Sequence, residues 1–235
     1  MTVTAQSVLD RVQQTLQDTG GIRWSSTAEL ILWVNDAQRE IALLKPDATA
    51  VNTTITLVAG TKQTIPADGN RLLSVVRNMS AASSGTGKRT VRLVSRDILD
   101  SLEPSWHDPA VKGDAKHGAI VKHFMYDDQN PRNFYVYPGV SGNCYLEIIY
   151  SQNPATIAAN ANLGVPDIYS TAVMNYVLYM CYMKDTEFVA NQQRAGSHYN
   201  LFMTSVTGKS QIDMVTSPNA SSSQTQIQPQ MGGVA

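Results

Sequence analysis

Cysteine is scarce in this chain of 235 residues, with only Cys144 and Cys181 present. Two thiols so far apart exclude a disulfide scaffold and a four-ligand zinc site, and both are expected to be buried. Excess charge is lacking too, since 18 Lys+Arg stand against 19 Asp+Glu for a net charge of −1. That balance excludes long-range attraction to nucleic acid and a polybasic membrane footprint, and leaves binding through a local patch. The opening MTVTAQSVLD has no basic stretch leading into an apolar run, so no secretory signal is expected and synthesis is read as cytosolic. The most apolar stretch, Ile168 to Met183, is interrupted by Asn175 and falls short of the roughly 20 residues that span a bilayer, so no membrane association is expected.

Catalytic signatures are missing as well. Ser84-Gly85-Thr86-Gly87-Lys88 lacks the phosphate-loop spacing and continues into Arg89 where Ser or Thr belongs. No Gly-x-Ser-x-Gly elbow occurs, and Cys144 falls in an expected strand rather than at a helix N-terminus that would activate it. His107, Asp108, Asp114, His117 and His123 supply metal-ligand types, but in no helical His-x-x-x-His spacing. Asp127, Asp128 and Asn130 lack the spacing and terminal Glu of a calcium loop. Lys88, Arg89, Arg92 and Arg96 form a small basic cluster with no interleaved aromatics, which reads as a solvated strand edge. No catalytic residue, metal site or cofactor is therefore assigned.

What is present is unevenly distributed. Of the 37 charged residues, 29 lie at or before residue 133, leaving 8 for the last 102 positions. All ten tyrosines, Tyr126 to Tyr199, fall in the second half of the chain. Tyrosine suits protein interfaces, and it equally suits strands and buried helices. The charge depletion favours a covered surface.

Periodicity divides the chain. Val8, Leu9, Val12 and Leu16 recur at helical spacing before Gly20-Gly21; Ser26-Thr27-Ala28-Glu29 reads as a capping box opening a second helix through Leu30, Val34, Ala37, Ile41 and Leu44, closed by Pro46. A link of about five residues predicts an antiparallel pair. From Val51 the pattern alternates, predicting a hairpin of Val51 to Leu57 with Gln63 to Ile65, then strands over Leu72 to Met79 and Arg89 to Val94 around a loop, Ala81 to Gly87. Ser95 caps a short helix, Arg96 to Leu102, and a loop follows over Pro104 to Gly118. Strands over Ala119 to Tyr126, Asn133 to Tyr137 and Cys144 to Tyr150 predict an antiparallel meander. After a small-residue stretch, Asn153 to Gly164, Pro166-Asp167 begins a helix apolar nearly all round, as a central core helix would be. Phe188, Ala195, Tyr199, Phe202 and Val206 then mark an amphipathic helix to about Val206. Beyond Gly208 the composition cannot order itself alone, and its isolated Ile212, Met214, Val215, Ile227 and Met231 suit anchors against a partner.

The fold class is thus α+β. An antiparallel helical bundle, built from the N-terminal helix pair and long C-terminal helices, carries an inserted antiparallel β-rich domain and a flexible C-terminal arm. The expected divisions are 1–48, 49–152, 153–207 and 208–235.

Two stretches resemble a known family. They are Arg23-Trp24-Ser25-Ser26 with Glu29-Leu30, Trp33-Val34-Asn35-Asp36-Ala37-Gln38-Arg39-Glu40-Ile41 and Lys45-Pro46-Asp47, and Val165-Pro166-Asp167-Ile168-Tyr169 with Asn175-Tyr176-Val177-Leu178-Tyr179, Lys184-Asp185-Thr186-Glu187, Gln193-Arg194-Ala195 and Ser197-His198-Tyr199. They resemble the head-to-tail adaptors (connector or tail tubular A-like proteins) of tailed bacteriophages. The resemblance implies a structural virion protein without enzymatic activity, in the neck between head and tail. It implies a homo-oligomeric ring, dodecameric in expectation, docked under the portal protein, extending the DNA channel in passive contact with packaged DNA and offering a platform to a tail or nozzle protein. It also implies that the C-terminal arm climbs onto the portal. Cyclic rings need two different complementary faces, and Tyr169, Tyr176 and Tyr199 are the candidates for one. The alternatives are a neck or tail-completion subunit further from the portal and, from another class, a soluble metal-dependent hydrolase on His107, His117 and His123.

Overall fold

The computed structural model describes residues 2–24, 26–83, 85–185 and 189–216 and divides into two compact units, Met1–Lys45 with Thr156–Ala235, and Pro46–Ala155. Ser25, Thr186, Glu187, Phe188, Ile227 and Met231 lie outside the described residues. Among those described, no helix is long and apolar enough to cross a membrane.

In the first unit, α1 (Ala5–Thr15) starts at Thr4, whose Oγ1 accepts from the Ser7 N–H at 3.3 Å, and buries Ala5, Val8, Leu9 and Val12. It stops before the glycine pair, because Gln17 turns to a φ of 57° and Asp18 takes over the following backbone. The Asp18 carboxylate accepts from the N–H groups of Ile22, Arg23 and Trp24 at 2.9, 3.0 and 2.8 Å. The link to α2 (Ile31–Leu44) is therefore long and internally bonded, not a five-residue turn. Nor does the expected capping box cap α2: Ser26–Leu30 forms a wide π turn, Leu30 stands at the N-cap without a side-chain bond, and Glu29 instead pairs with Lys184.

The helix α4 (Ser170–Lys184) buries Ala172, Val173, Val177, Leu178 and Cys181 and packs on α1, α2 and α5, which explains its all-round apolar composition. Each of its fully buried large aliphatic side chains is worth about 1.5–3 kcal/mol relative to exposure. The helix α5 spans Val189–Thr216, 28 residues or about 42 Å. The expected end near Val206 is too early. Gly208 costs a helix interior only about 1 kcal/mol, too little to end the helix.

The run from Thr156 to Gly164 completes the helical unit. Ala5 and Gln6 N–H donate to Ala161 and Ala159 carbonyls at 2.9 and 2.7 Å, satisfying donors at the start of α1. Asn35 on α2 donates through Nδ2 to Ile157 O at 3.1 Å and accepts from its N–H at 2.8 Å, while Gln38 Oε1 accepts from the Gly164 N–H at 2.5 Å.

The second unit holds two four-stranded sheets. One has the order β1–β8–β3–β4, from β1 (Ala50–Thr56), β3 (Gly69–Met79), β4 (Gly87–Thr90) and β8 (Tyr145–Gln152). The other has the order β2–β7–β6–β5, from β2 (Gly60–Thr64), β5 (Arg92–Leu93), β6 (His123–Tyr126) and β7 (Asn133–Val140). Leu72, Val75, Leu146 and Ile148 of the first share one buried cluster with Phe124, Phe134 and Val136 of the second, so the sheets face each other across a core. On the other face of the second sheet, Met125 and Tyr137 bury against Leu99 of α3 (Arg96–Leu102) and the fully buried Trp106.

Four strand expectations are corrected by that sandwich. The predicted hairpin does not form: β1 pairs with β8 and β2 with β7, because the chain turns a corner at Val58 to Gly60. The buried Gln63 braces the corner, accepting from Val58 N–H at 2.9 Å and donating to Val58 O at 2.8 Å, and Gly60 supplies a φ of 109°. The predicted strand Arg89 to Val94 divides at buried Val91 between β4 in one sheet and β5 in the other, and β5 runs parallel to β6. The meander fails at its last strand, since β8 leaves β6 and β7 to sit between β1 and β3. The predicted strand Ala119 to Tyr126 shrinks to β6, and Ser95 sits at the N-cap of α3 without a side-chain bond.

Candidate assembly surfaces

The histidine-bearing segment is organised by packing. His107 lies 3.6 Å ring to ring from Trp106, and its Nδ1 is 2.7 Å from Thr61 Oγ1. His117 Nε2 lies 3.4 Å from Trp106 O, and His123 stacks on Tyr137 at 6.2 Å. Burial, then the Arg96 charge, holds His107 below its ordinary pKa; burial, then Arg89, does the same to His123. Among the described residues no group of three His, Cys, Asp or Glu side chains is placed to hold a metal ion. The segment lines a cleft of about 900 Å³ with Ala59, Pro109, Val111, Lys112 and Val140, a lining with no pair of carboxylates for acid–base work. Both thiols are buried; burial raises Cys144 and pushes Cys181 up to about 12.

The tyrosines serve the chain's own packing more than a face for neighbours. Of the ten, Tyr199 alone is exposed, at 41%, and it lies 5.0 Å from Tyr179 across α4 and α5. Tyr176 is half-buried, 5.1 Å from Phe202, and burial followed by the Glu40 and Asp36 charges pushes its hydroxyl up to about 12. Tyr169 is 3% exposed. A ring buried that deeply belongs to its own core, which corrects its selection as an interface residue.

Among the described residues, large apolar side chains are exposed on α2 and α5. Leu32 and Leu43 are 56% and 66% exposed and eleven residues apart, on the α2 face opposite the buried Val34, Ala37 and Ile41. Leu201 and Ile212 on α5 are 52% and 63% exposed with the same spacing. The leucines were visible in the sequence as apolar residues off the main stripe, a signal that needs a known buried face to be read. Of the proposed arm anchors, Ile212, Met214 and Val215 belong to the last turns of α5 and not to an extended arm.

These exposed side chains belong to the helical unit. No curated protein matches the chain. A family model described as SU10 adaptor protein matches residues 3–222, and the chain belongs to that family of phage structural adaptors.

Proposed function

We propose that the protein is a head-to-tail adaptor whose copies form a ring beneath the portal, extend the DNA channel and carry the tail. The observation that carries this reading is the family match over residues 3–222 of a chain whose helical unit exposes Leu32, Leu43, Leu201 and Ile212. Large apolar side chains exposed on two helices of one unit suit burial against other subunits. Leu32 and Leu43 on α2 and Leu201, Tyr199 and Ile212 on α5 are the candidates for the two complementary faces of a cyclic assembly. The segment after α5, with Ile227 and Met231, is the candidate for portal docking.

Native mass spectrometry of the full chain mixed with its portal ring tests the reading, beside a version ending at Thr216 that keeps α5 whole. Saturable addition of one copy per portal subunit is expected, reduced by the truncation. Full binding by the truncated chain removes the tail from docking. Binding by neither version overturns the portal-docked position. With a net charge of −1, free DNA binding is expected to be weak.

A further inference from the structure

The cleft of about 900 Å³ in the β-sandwich lies between the segment that follows α3 and the corner at Gly60. Its walls are apolar, with Ala59, Pro109, Ala110 and Val111 around the buried Val140. Two imidazoles are fixed in it by packing. His107 stacks on Trp106, which has no exposure, and its Nδ1 is tied to the buried Thr61 Oγ1 at 2.7 Å. His117 lies against the bare backbone of β7, where a Cβ on Gly139 would fall 2.4 Å from His117 Nε2. Glycine at 139 therefore gives the ring its place.

The hydrogen bonds of those rings leave capacity unused. Trp106 O, 3.4 Å from His117 Nε2, can only accept, so the ring carries its proton on Nε2 and leaves Nδ1 as an acceptor. Among the described residues no hydrogen bond reaches His117 Nδ1 or His107 Nε2. Charge at the cleft has one sign. Lys112 and Lys116 line it, both exposed, and among the described residues neither is paired with a carboxylate. The acids of the same segment are engaged with other groups: Asp108 Oδ1 accepts from the Ala110 N–H at 2.8 Å, and Asp114 lies 3.8 Å from Lys122 Nζ.

The geometry points to this cleft as a socket for a segment of a partner protein that carries a large apolar side chain beside a carboxylate. The walls take the apolar side chain, His117 Nδ1 accepts an N–H of the segment, and Lys112 and Lys116 meet the carboxylate. Apolar walls select a protein segment over a nucleic acid, which would call for cations along a track and aromatic faces for its bases. Two unpaired lysines on a lining without acids select a carboxylate within that segment. The socket uses none of the residues assigned to the ring, so it goes beyond that reading and stands or falls separately.

Titration of the full chain with N-acetyl-leucine tests it, followed by NMR at the His107 and His117 rings and the Val111 and Val140 methyls. Two controls each lack one feature: N-acetyl-leucinamide has no carboxylate, and N-acetylglycine has no large apolar side chain. Saturable shifts at those four residues are expected with N-acetyl-leucine. The amide is expected to bind about threefold or more weakly, the loss of one exposed ion pair, and N-acetylglycine about tenfold or more weakly. Lys112→Gln combined with Lys116→Gln is expected to bring the acid to the level of its amide and to leave the amide unchanged. Equal binding of acid and amide by the unaltered chain overturns the acidic segment. Inorganic phosphate that displaces N-acetyl-leucine with equal affinity assigns the cleft to phosphate and overturns the protein segment. Absence of shifts at the four residues overturns the socket and leaves the ring standing.

Discussion

Asn78 on β3 and Val121 are joined twice: Asn78 Nδ2 donates to Val121 O at 2.8 Å, and Asn78 Oδ1 accepts from Val121 N–H at 2.8 Å. A side-chain amide thus does for Val121 what a neighbouring strand would do, and it also donates to Arg89 O at 2.9 Å. Asn78 is only 2% exposed, so removing it strands buried backbone groups. Asn78→Ala is expected to cost about 1–3 kcal/mol in urea unfolding. Asn78→Asp is expected to cost at least as much, because it sets a carboxylate against two carbonyl oxygens. A loss too small to resolve for both would show that water replaces the amide.

Trp106 is the largest side chain with no exposure, and its Nε1–H donates to Asp100 Oδ1 at 2.8 Å. Trp106→Ala is expected to destabilise the β-sandwich by about 3–5 kcal/mol. Trp106→Phe is expected to fall between, and also to alter the acid limb. The Trp106 hydrogen bond is the foremost cause holding Asp100 below its ordinary value of 3.8. That contribution is present above the ordinary value and is lost as pH falls through the depressed one. Denaturation curves at neutral and acid pH separate the packing loss from the hydrogen-bond loss.

His198 on α5 is held below its ordinary value of 6.5 by burial against α4. Asn175 uses its Nδ2 on Thr171 O, so its Oδ1, 3.0 Å away, accepts from His198 Nδ1–H. The unfolded chain therefore takes a proton that the folded chain refuses, and stability falls as pH drops below 6.5. Hydrogen exchange of α4 and α5 amides, followed from about pH 8 to about pH 5, is expected to show increasing opening. His198→Gln is expected to flatten that slope. An unchanged slope would assign the effect to another group.

Asn35 makes the same kind of double bond to Ile157 that Asn78 makes to Val121. Asn35→Ala is expected to cost about 1–3 kcal/mol. Its loss is expected to speed exchange at Ile157 while the amides of β7 remain protected. Protection at Ile157 that survives the substitution would mean the run is held by α1 alone.

Helical periodicity made α2 and α4 legible, because both bury faces made of Val, Ile, Leu and Ala at steps of three and four. The strands were legible as alternation but their partners were not. A corner at Gly60 and a crossing at Val91 look in sequence like a hairpin turn and a strand interior. Trp106 lay in a segment without period, and its burial depends on Met125 and Tyr137 arriving from β6 and β7. Asn35 and Gln38 lay unremarked within the stretch that carries the family resemblance, because their partners, Ile157 and Gly164, lie 122 and 126 residues away. Tyrosine suited interface and core equally in the sequence, and nine of the ten are buried or half-buried in the chain's own packing.

The helical unit is assembled from two stretches of chain with Pro46–Ala155 between them. During synthesis, α1 and α2 leave the ribosome long before α4, the helix on which both pack. At roughly 5–20 residues per second, the intervening stretch and α4 take on the order of ten seconds to follow. The β-sandwich, whose strands are contiguous in sequence, can close in that interval. The helical unit can close only after the chain has grown past Lys184. A ribosome stalled before that point would therefore display a finished sandwich beside two helices whose apolar faces have no partner, the form of this protein most in need of a chaperone.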